Sequence, residues 1–247
     1  MLSKTNVKYI QSLRHKKFRE EEQAFVAEGP KVVEEFLSSG NFTCTKLFAL
    51  EEWLNKNQRL IKKISPENLY PIIESELERI SFLQTPNQVL AIFQLPAQSS
   101  GSLEGMITLI LDDLQDPGNL GTIIRIADWF NIKNIICSHG SVDCYNPKVV
   151  QASMGSLARV NVIYTDLETF IKENSSIELY AATLSGKNIS GFEKIKQGMI
   201  LIGNESKGVS ESLLRLATGE ITIPGSGKAD SLNAAVATGI ILSHIIA

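Results

Sequence analysis

The chain has 247 residues, 43% of them hydrophobic and 21% charged, so it can bury a sizeable core and is long enough for two domains. A formal net charge of −3 argues against a protein that coats nucleic acid through bulk positive charge. The sequence contains neither the roughly 18-residue apolar run of a spanning helix nor the apolar core of a signal peptide, so we expect a cytoplasmic protein with no membrane partner.

Positive charge is concentrated at the start of the chain. Residues 1–19 carry six lysines and arginines and no acidic residue, and three glutamates follow at once. A local cationic patch fits selective docking on RNA phosphates, although charge alone leaves a solvated helix end as an equal alternative. The candidate RNA-binding residues are Lys4, Arg14, Lys16, Lys17 and Arg19.

Helices and strands alternate through residues 1–96, which predicts a small α/β domain. The predicted helices cover residues 6–13, 30–40, 51–57 and 74–80. The predicted strands cover residues 24–27, 46–50, 69–73 and 89–93. Small polar residues and glycine then predict a linker over residues 97–105.

Residues 106–247 repeat the α/β rhythm with more hydrophobic strands. These are predicted at residues 107–111, 134–137, 161–164, 178–182, 199–202 and 220–223. Such continuous apolar runs are typical of a parallel sheet covered on both faces. Ligands bind such sheets at the carboxyl ends of the strands, so the loops that follow the strands are the places to look for chemistry.

Three of these loops carry unusual polar residues. In the first, Asn119 is expected to cap the helix that carries Arg125, for which a surface ion pair is the simplest interpretation. The second places Glu205 in a glycine-rich turn or in the first turn of a following helix. In the third, Ser231 is the expected N-cap and Asn233 falls in the first turn of a small-residue helix. The third loop lacks the residues of a nucleotide-binding P-loop.

Three segments together resemble the ordered motifs of the SpoU/TrmH family of RNA 2′-O-ribose methyltransferases, in the SPOUT superfamily. They read DPGNLGTIIRIA, LIGNESKGVS and ITIPGSGKADSLNAAVATGI. The segment SLRHKKFREEEQAFVAEGPKVVEEFL also resembles the substrate-binding domain that many such enzymes carry. The resemblance therefore covers nearly the whole chain.

The resemblance implies a C-terminal domain with a deep trefoil knot, a homodimer, and S-adenosylmethionine as the methyl donor, with ribosomal RNA favoured over transfer RNA. It implies no metal, which agrees with the spacing of the three cysteines, since they form no CxxC pair that could bind one. The polar motif positions that would line the reaction site are Asn119, Arg125, Glu205, Ser231 and Asn233. The residues that would hold the cofactor are Leu184, Gly203, Ile223 and Leu232, with Ile202 and Ala234 as weaker candidates.

Two other classes compete with this interpretation. A Rossmann-type methyltransferase or dehydrogenase would show GxGxxG after an early strand, and the sequence has no such motif. An RNA-binding protein that kept the fold but lost catalysis is disfavoured, because all five polar motif positions are present. The sequence does not name the modified nucleotide or the group that removes the 2′-hydroxyl proton.

Overall fold

A computed structural model describes residues 2–97 and 103–246. These residues divide into two compact units. The first contains the described residues up to Ala97 together with Asp143–Arg159, and the second contains the rest. The middle of the predicted linker, residues 98–102, lies outside the described residues, and the domain boundaries remain a prediction.

The first unit is built on a four-stranded sheet. Its strands are β1 (Ala24–Glu28), β2 (Cys44–Ala49), β3 (Leu69–Pro71) and β4 (Val89–Gln94). The order is β1-β4-β2-β3, in which β4 is antiparallel to both neighbours and β2 is parallel to β3. All four strands were predicted from sequence.

Six α-helices lie within the described residues 2–97. They are α1 (Lys4–Ser12), α2 (Lys16–Glu22), α3 (Pro30–Ser39), α4 (Glu51–Lys56), α5 (Gln58–Ile61) and α6 (Glu74–Ile80). α1, α3, α4 and α6 match the predicted helices to within two residues at either end, whereas α2 and α5 were not predicted. An apolar cluster that includes Ile10, Phe48 and Leu90 packs α1 and α6 against this sheet.

Residues 103–246, the rest of the described chain, contribute six strands and five α-helices. The strands are β5 (Ile107–Leu111), β6 (Asn134–Ser138), β7 (Asn161–Thr165), β8 (Leu179–Asn188), β9 (Gly198–Ile202) and β10 (Gly219–Thr222). The helices are α7 (Pro117–Trp129), α8 (Pro147–Ala152), α9 (Leu167–Glu173), α10 (Glu211–Leu214) and α11 (Ala234–Ile245). The strands form one sheet in the order β10-β8-β9-β5-β6-β7, and every pairing is parallel, as predicted.

Strand β8 is the main departure from the predicted elements. It runs for ten residues instead of the predicted five, and its pairing with β10 is interrupted by a register shift between Glu220 and Ile221. Its second half is largely exposed, so it lacks the apolar run by which the other strands were recognised.

The segment around α8 follows β6 in sequence but belongs to the first compact unit. The Arg19 guanidinium donates to the Asp143 carboxylate at 2.5 and 3.0 Å, and the rings of Phe25 and Tyr145 have centroids 4.7 Å apart. The first unit is therefore assembled from two stretches of chain, of which the second is 17 residues long.

Candidate active site

The site begins where β5 and β9 end side by side. Leu111 pairs with Ile202 in the parallel register, and the Asp112 N–H donates to the Ile202 carbonyl at 2.9 Å. The loops after these two strands, which carry the first two polar motifs, are therefore adjacent. This is the strand edge at which open α/β sheets bind ligands.

The first loop leads into α7 through an aspartate cap. Asp116 is the N-cap, and its side chain accepts a hydrogen bond from the Asn119 N–H at 2.8 Å, with Pro117 at the first helical position. The prediction that Asn119 caps this helix is therefore wrong. Because Asp116 does the capping, the Asn119 amide, which is 9% exposed, can bond to other loops.

Asn119 joins the three motifs. Its Nδ2 donates to Glu205 Oε1 at 2.9 Å, and its Oδ1 accepts from Asn233 Nδ2 at 2.7 Å. One side-chain amide thus donates a hydrogen bond to the second motif and accepts one from the third. We name Asn119, Glu205 and Asn233 the amide network.

Glu205 lies in a turn over residues 204–208, so the alternative that placed it in the first turn of a helix is wrong. Its carboxylate also accepts the main-chain N–H groups of Gln115 at 3.4 Å and Asp116 at 3.2 Å. Partial burial acts to raise the pKa of Glu205. The hydrogen bonds from Asn119 and from these main-chain groups outweigh that effect, and the net pKa is lowered. Glu205 is therefore held as a hydrogen-bond acceptor.

Asn204 shapes that turn and was not singled out from sequence. Its Oδ1 accepts from the main-chain N–H groups of Ser206 and Lys207, and its Nδ2 donates to the Asp113 carbonyl at 2.7 Å. A Cβ at Gly203 would lie 2.2 Å from the Gly208 carbonyl carbon, so the turn itself requires glycine there. An asparagine after the strand and glycines on either side were the signal available in the sequence.

Asn233 is the N-cap of α11, where its Oδ1 accepts from the N–H groups of Ala235 at 3.0 Å and Val236 at 3.2 Å. The prediction that Ser231 caps this helix is wrong by two residues. Ser231 is exposed, and among the described residues no hydrogen bond is made by residues 225–232. The structure therefore does not bring Ser231 into the amide network.

Arg125 projects from α7 into solvent. Within the part of the chain that the structure describes, it forms neither a hydrogen bond nor an ion pair, so the surface ion pair suggested by pattern alone is wrong. An exposed guanidinium without a protein partner has all its donors available to an anion.

The cofactor candidates belong to the second unit: Leu184 lies in β8, Ile202 ends β9 and Gly203 follows it, Ile223 follows β10, Leu232 lies just before α11 and Ala234 begins it. Ile202 and Ala234 are buried, and Gly203 and Ile223 are partly buried. Leu184 is 78% exposed and Leu232 is 48% exposed, which is unusual for leucine. Leu232 also ends the stretch of main chain, residues 225–232, whose polar groups have no partner among the described residues.

The candidate RNA-binding lysines and arginines lie in the first unit, and the prediction is wrong for one of them, Arg19. Arg19 is only 2% exposed, and it also donates to the carbonyls of Leu13 and Arg14 at 2.9 Å. Its guanidinium is used within the protein, so it does not offer a phosphate contact. Lys4, Arg14, Lys16 and Lys17 are exposed.

Two features are absent from residues 2–97 and 103–246. They contain no helix that is both long and apolar enough to cross a bilayer. They also contain no group of three or more histidine, cysteine or acidic side chains arranged to hold a metal ion.

The fold and site together define an α/β protein with a polar network at the carboxyl edge of a parallel sheet. A family model described as the SpoU rRNA methylase family matches residues 106–243, and one described as an MRM3-like substrate binding domain matches residues 4–91. The chain therefore belongs to the SpoU rRNA methylase family.

Full-length relatives agree with this assignment. The 23S rRNA (guanosine(2553)-2′-O)-methyltransferase RlmP of Bacillus subtilis is 29% identical, over 97% of this chain and 95% of its own length. A TrmH-family structure from Porphyromonas gingivalis is 37% identical with a TM-score of 0.88, covering 100% of this chain and 98% of that one. An AdoMet-bound rRNA methyltransferase from Sinorhizobium meliloti is 32% identical with a TM-score of 0.88, covering 99% and 95%.

Proposed function

We propose that this protein transfers a methyl group from S-adenosylmethionine to a ribose 2′-hydroxyl of structured RNA, with ribosomal RNA as the substrate class. The observation that carries the proposal is the amide network, in which Asn119 hydrogen-bonds to both Glu205 and Asn233 at the carboxyl edge of the sheet. The S. meliloti relative is AdoMet-bound, and the B. subtilis relative is named as a ribosomal RNA 2′-O-methyltransferase.

The residues present fit an adenosine-containing donor. Leu184 and Leu232 supply exposed apolar surface for a purine ring, and the main chain of residues 225–232 supplies unpaired N–H and C=O groups for its polar edge. When bound, S-adenosylmethionine supplies the reactive methyl group on its sulfonium. Gly203, Ile223, Ile202 and Ala234 complete the proposed cofactor-binding set.

The protein's own part in the reaction is to align the ribose oxygen and to stabilise its developing negative charge. Arg125, with all its donors available, would bind the phosphate of the target nucleotide and stabilise the alkoxide. The amide network would fix the loops around that nucleotide, and Ser231 would contact it from the loop of residues 225–232. An arginine resists deprotonation, so we assign Arg125 to charge stabilisation.

We also propose that the C-terminal domain, residues 106–247, contains a deep trefoil knot. Two close approaches of the chain support it. A Cβ at Gly186 would lie 2.5 Å from the main chain of Glu220 and Ile221. The Ile195 N–H donates to the Ile245 carbonyl at 2.7 Å, so the end of α11 lies against the chain just before β9.

The proposal also covers the RNA-binding domain, the linker, and the assembly and location of the protein. Residues 1–96 would act as the RNA-binding domain, with Lys4, Arg14, Lys16 and Lys17 on phosphates. Residues 97–105 would link it to the catalytic domain. The protein would act as a cytoplasmic homodimer with neither metal nor membrane involved.

The test is methyl transfer from labelled S-adenosylmethionine to ribosomal and transfer RNA that lack the modification. We expect label on a 2′-oxygen of ribosomal RNA and a loss of about 10²-fold or more in Arg125→Ala, since one stabilising donor group is commonly worth that much. Thr122→Ala, an exposed change on the same helix, is the matched control. Label on transfer RNA alone would reassign the substrate, and no label on either RNA despite cofactor binding would refute the activity.

A further inference from the structure

The first unit contains a polar groove that the assignments above do not use. Its cavity has a volume of about 570 Å³ and lies between the first turns of α1, the end of α2, the start of β2 and the end of β4. Asn6, Tyr9, Glu22, Lys46 and Gln94 are among its lining residues. All of them lie in one compact unit, so the groove does not depend on how the units are arranged.

The groove combines an aromatic ring with a fixed cation. Lys46 Nζ donates to Asn6 Oδ1 at 2.9 Å and lies 5.3 Å from the centroid of the Tyr9 ring. Lys46 therefore has a defined position, held by two residues of α1. Two of its three N–H donors are not used by that hydrogen bond.

Several polar groups in the groove are unused. Among the described residues, the Tyr9 hydroxyl, the Asn6 side-chain NH₂ and the Glu22 carboxylate form no hydrogen bond, and Glu22 forms no ion pair. Burial, and then the charge on Glu22, raise the pKa of Tyr9, which indicates that the carboxylate and the ring share one space. The groove therefore presents an acceptor, several donors and an apolar wall together.

We propose that this groove binds an unpaired guanine base of the RNA substrate; the inference rests on the proposed function. Guanine presents N1–H and N2–H₂ donors beside its O6 acceptor, which match the Glu22 carboxylate on one side and the Lys46 ammonium or Asn6 amide on the other. The Tyr9 ring gives the base a surface to pack against. Proteins read single-stranded RNA through this combination of an aromatic surface and the base's polar edge.

Charge beside the groove fits a nucleotide better than a free small molecule. Lys4 and Lys8 are exposed on α1, each one residue before a groove residue, Thr5 or Tyr9. They would meet the phosphates on either side of the bound base.

The test uses the full chain and single-stranded oligouridines about ten nucleotides long with one central guanosine or one central inosine. Inosine keeps O6 and N1–H but lacks the 2-amino group. We expect wild type to bind the guanosine oligonucleotide roughly fivefold or more tightly than the inosine one, by fluorescence anisotropy. Glu22→Ala should bring that ratio to about one, because the ratio depends on the carboxylate.

Glu21→Ala is the matched control. It removes an exposed carboxylate from the same turn of α2, which pairs with Lys17 at 3.7 Å outside the groove. It raises the net charge equally, so any general gain in RNA affinity cancels, and its guanosine-to-inosine ratio should equal that of wild type. Equal affinities for the two oligonucleotides in wild type, or an unchanged ratio in Glu22→Ala, would overturn the proposal.

The methyl-transfer assay separates this inference from the proposed function. A guanosine preference that depends on Glu22, without methyl transfer, would support the groove and refute the activity. Methyl transfer with no guanosine preference would support the activity and refute the groove.

Discussion

At the residue scale, Asn119 works because an amide is both donor and acceptor. Its Nδ2 faces a carboxylate and its Oδ1 faces another amide, so its orientation is set by both neighbours. Motif resemblance identified all three residues of the network from sequence. It could not assign the caps, because Asp116 and Asn119, like Ser231 and Asn233, are all residues that favour N-cap positions.

Asn233→Asp tests the network apart from the helix cap. Asp keeps the oxygen that accepts from the Ala235 and Val236 N–H groups, so the stability of α11 should change by less than about 1 kcal/mol. Asn119 would then lie between two carboxylates and could satisfy only one, so methyl transfer should fall about tenfold or more. Thermal unfolding and the methyl-transfer assay measure the two effects. Full activity in this variant would show that the Asn119–Asn233 bond is dispensable.

Glu205 should give the stability of the protein a pH dependence of known sign. Its pKa is lower in the folded chain than in the unfolded one, so its stabilising effect is present at neutral pH, above its unfolded pKa. That effect is lost as the pH falls through the lowered pKa. The difference in unfolding free energy between wild type and Glu205→Gln should therefore be present at pH 7 and shrink in acid, as measured by urea unfolding.

The control for that series is Glu193→Gln, which removes an exposed carboxylate outside the network. A wild-type advantage over Glu205→Gln that stayed constant into acid would contradict the lowered pKa.

At the element scale, continuous apolar runs made the strands predictable to within a few residues, since five-residue strands such as β5 and β9 are buried throughout. β8 is longer than its apolar segment, because its second half is held by main-chain pairing with β10. Main-chain pairing does not require apolar side chains, so it leaves no hydrophobic pattern in the sequence. α2 was missed because its sequence, KKFREEE, has charge in place of an apolar stripe. Tertiary contact through Arg19 anchors it instead.

Arg19→Ala should therefore destabilise the protein rather than weaken RNA binding. The change leaves Asp143, whose side chain is 16% exposed, and the carbonyls of Leu13 and Arg14 without their donor. Breaking a buried pair of this kind costs about 3–5 kcal/mol, measured by urea unfolding. Lys17→Ala breaks an exposed pair on the same helix and should cost less than about 1 kcal/mol. Equal stability of the two variants would contradict a structural role for Arg19.

At the scale of the whole molecule, the knot and the homodimer stay predictions from the resemblance, because neither leaves a local pattern in the sequence. The structure adds large apolar side chains exposed on the two helices that begin at the site. Trp129 on α7 is 85% exposed and Val236 on α11 is 51% exposed, and α7 packs against α11. Such exposure indicates an interaction surface.

Trp129→Glu should accordingly dissociate the proposed homodimer. We expect wild type to elute with twice the mass of one chain in size-exclusion chromatography with light scattering, and the variant to shift toward one chain at the same concentration. Ile73→Glu is the control, since Ile73 is 65% exposed in the first unit. A wild type that elutes as a single chain at micromolar concentration would refute the dimer.

The first unit is assembled from two separate stretches of chain, and this affects the order in which the chain folds during synthesis. When residue 97 has been made, all four strands of its sheet exist, but the Asp143 carboxylate that neutralises buried Arg19 is 46 residues away in the chain. Chains are made from the N-terminus, so this unit cannot be completed until α8 has left the ribosome. Translation of β5, α7 and β6 must therefore come before the first unit is finished.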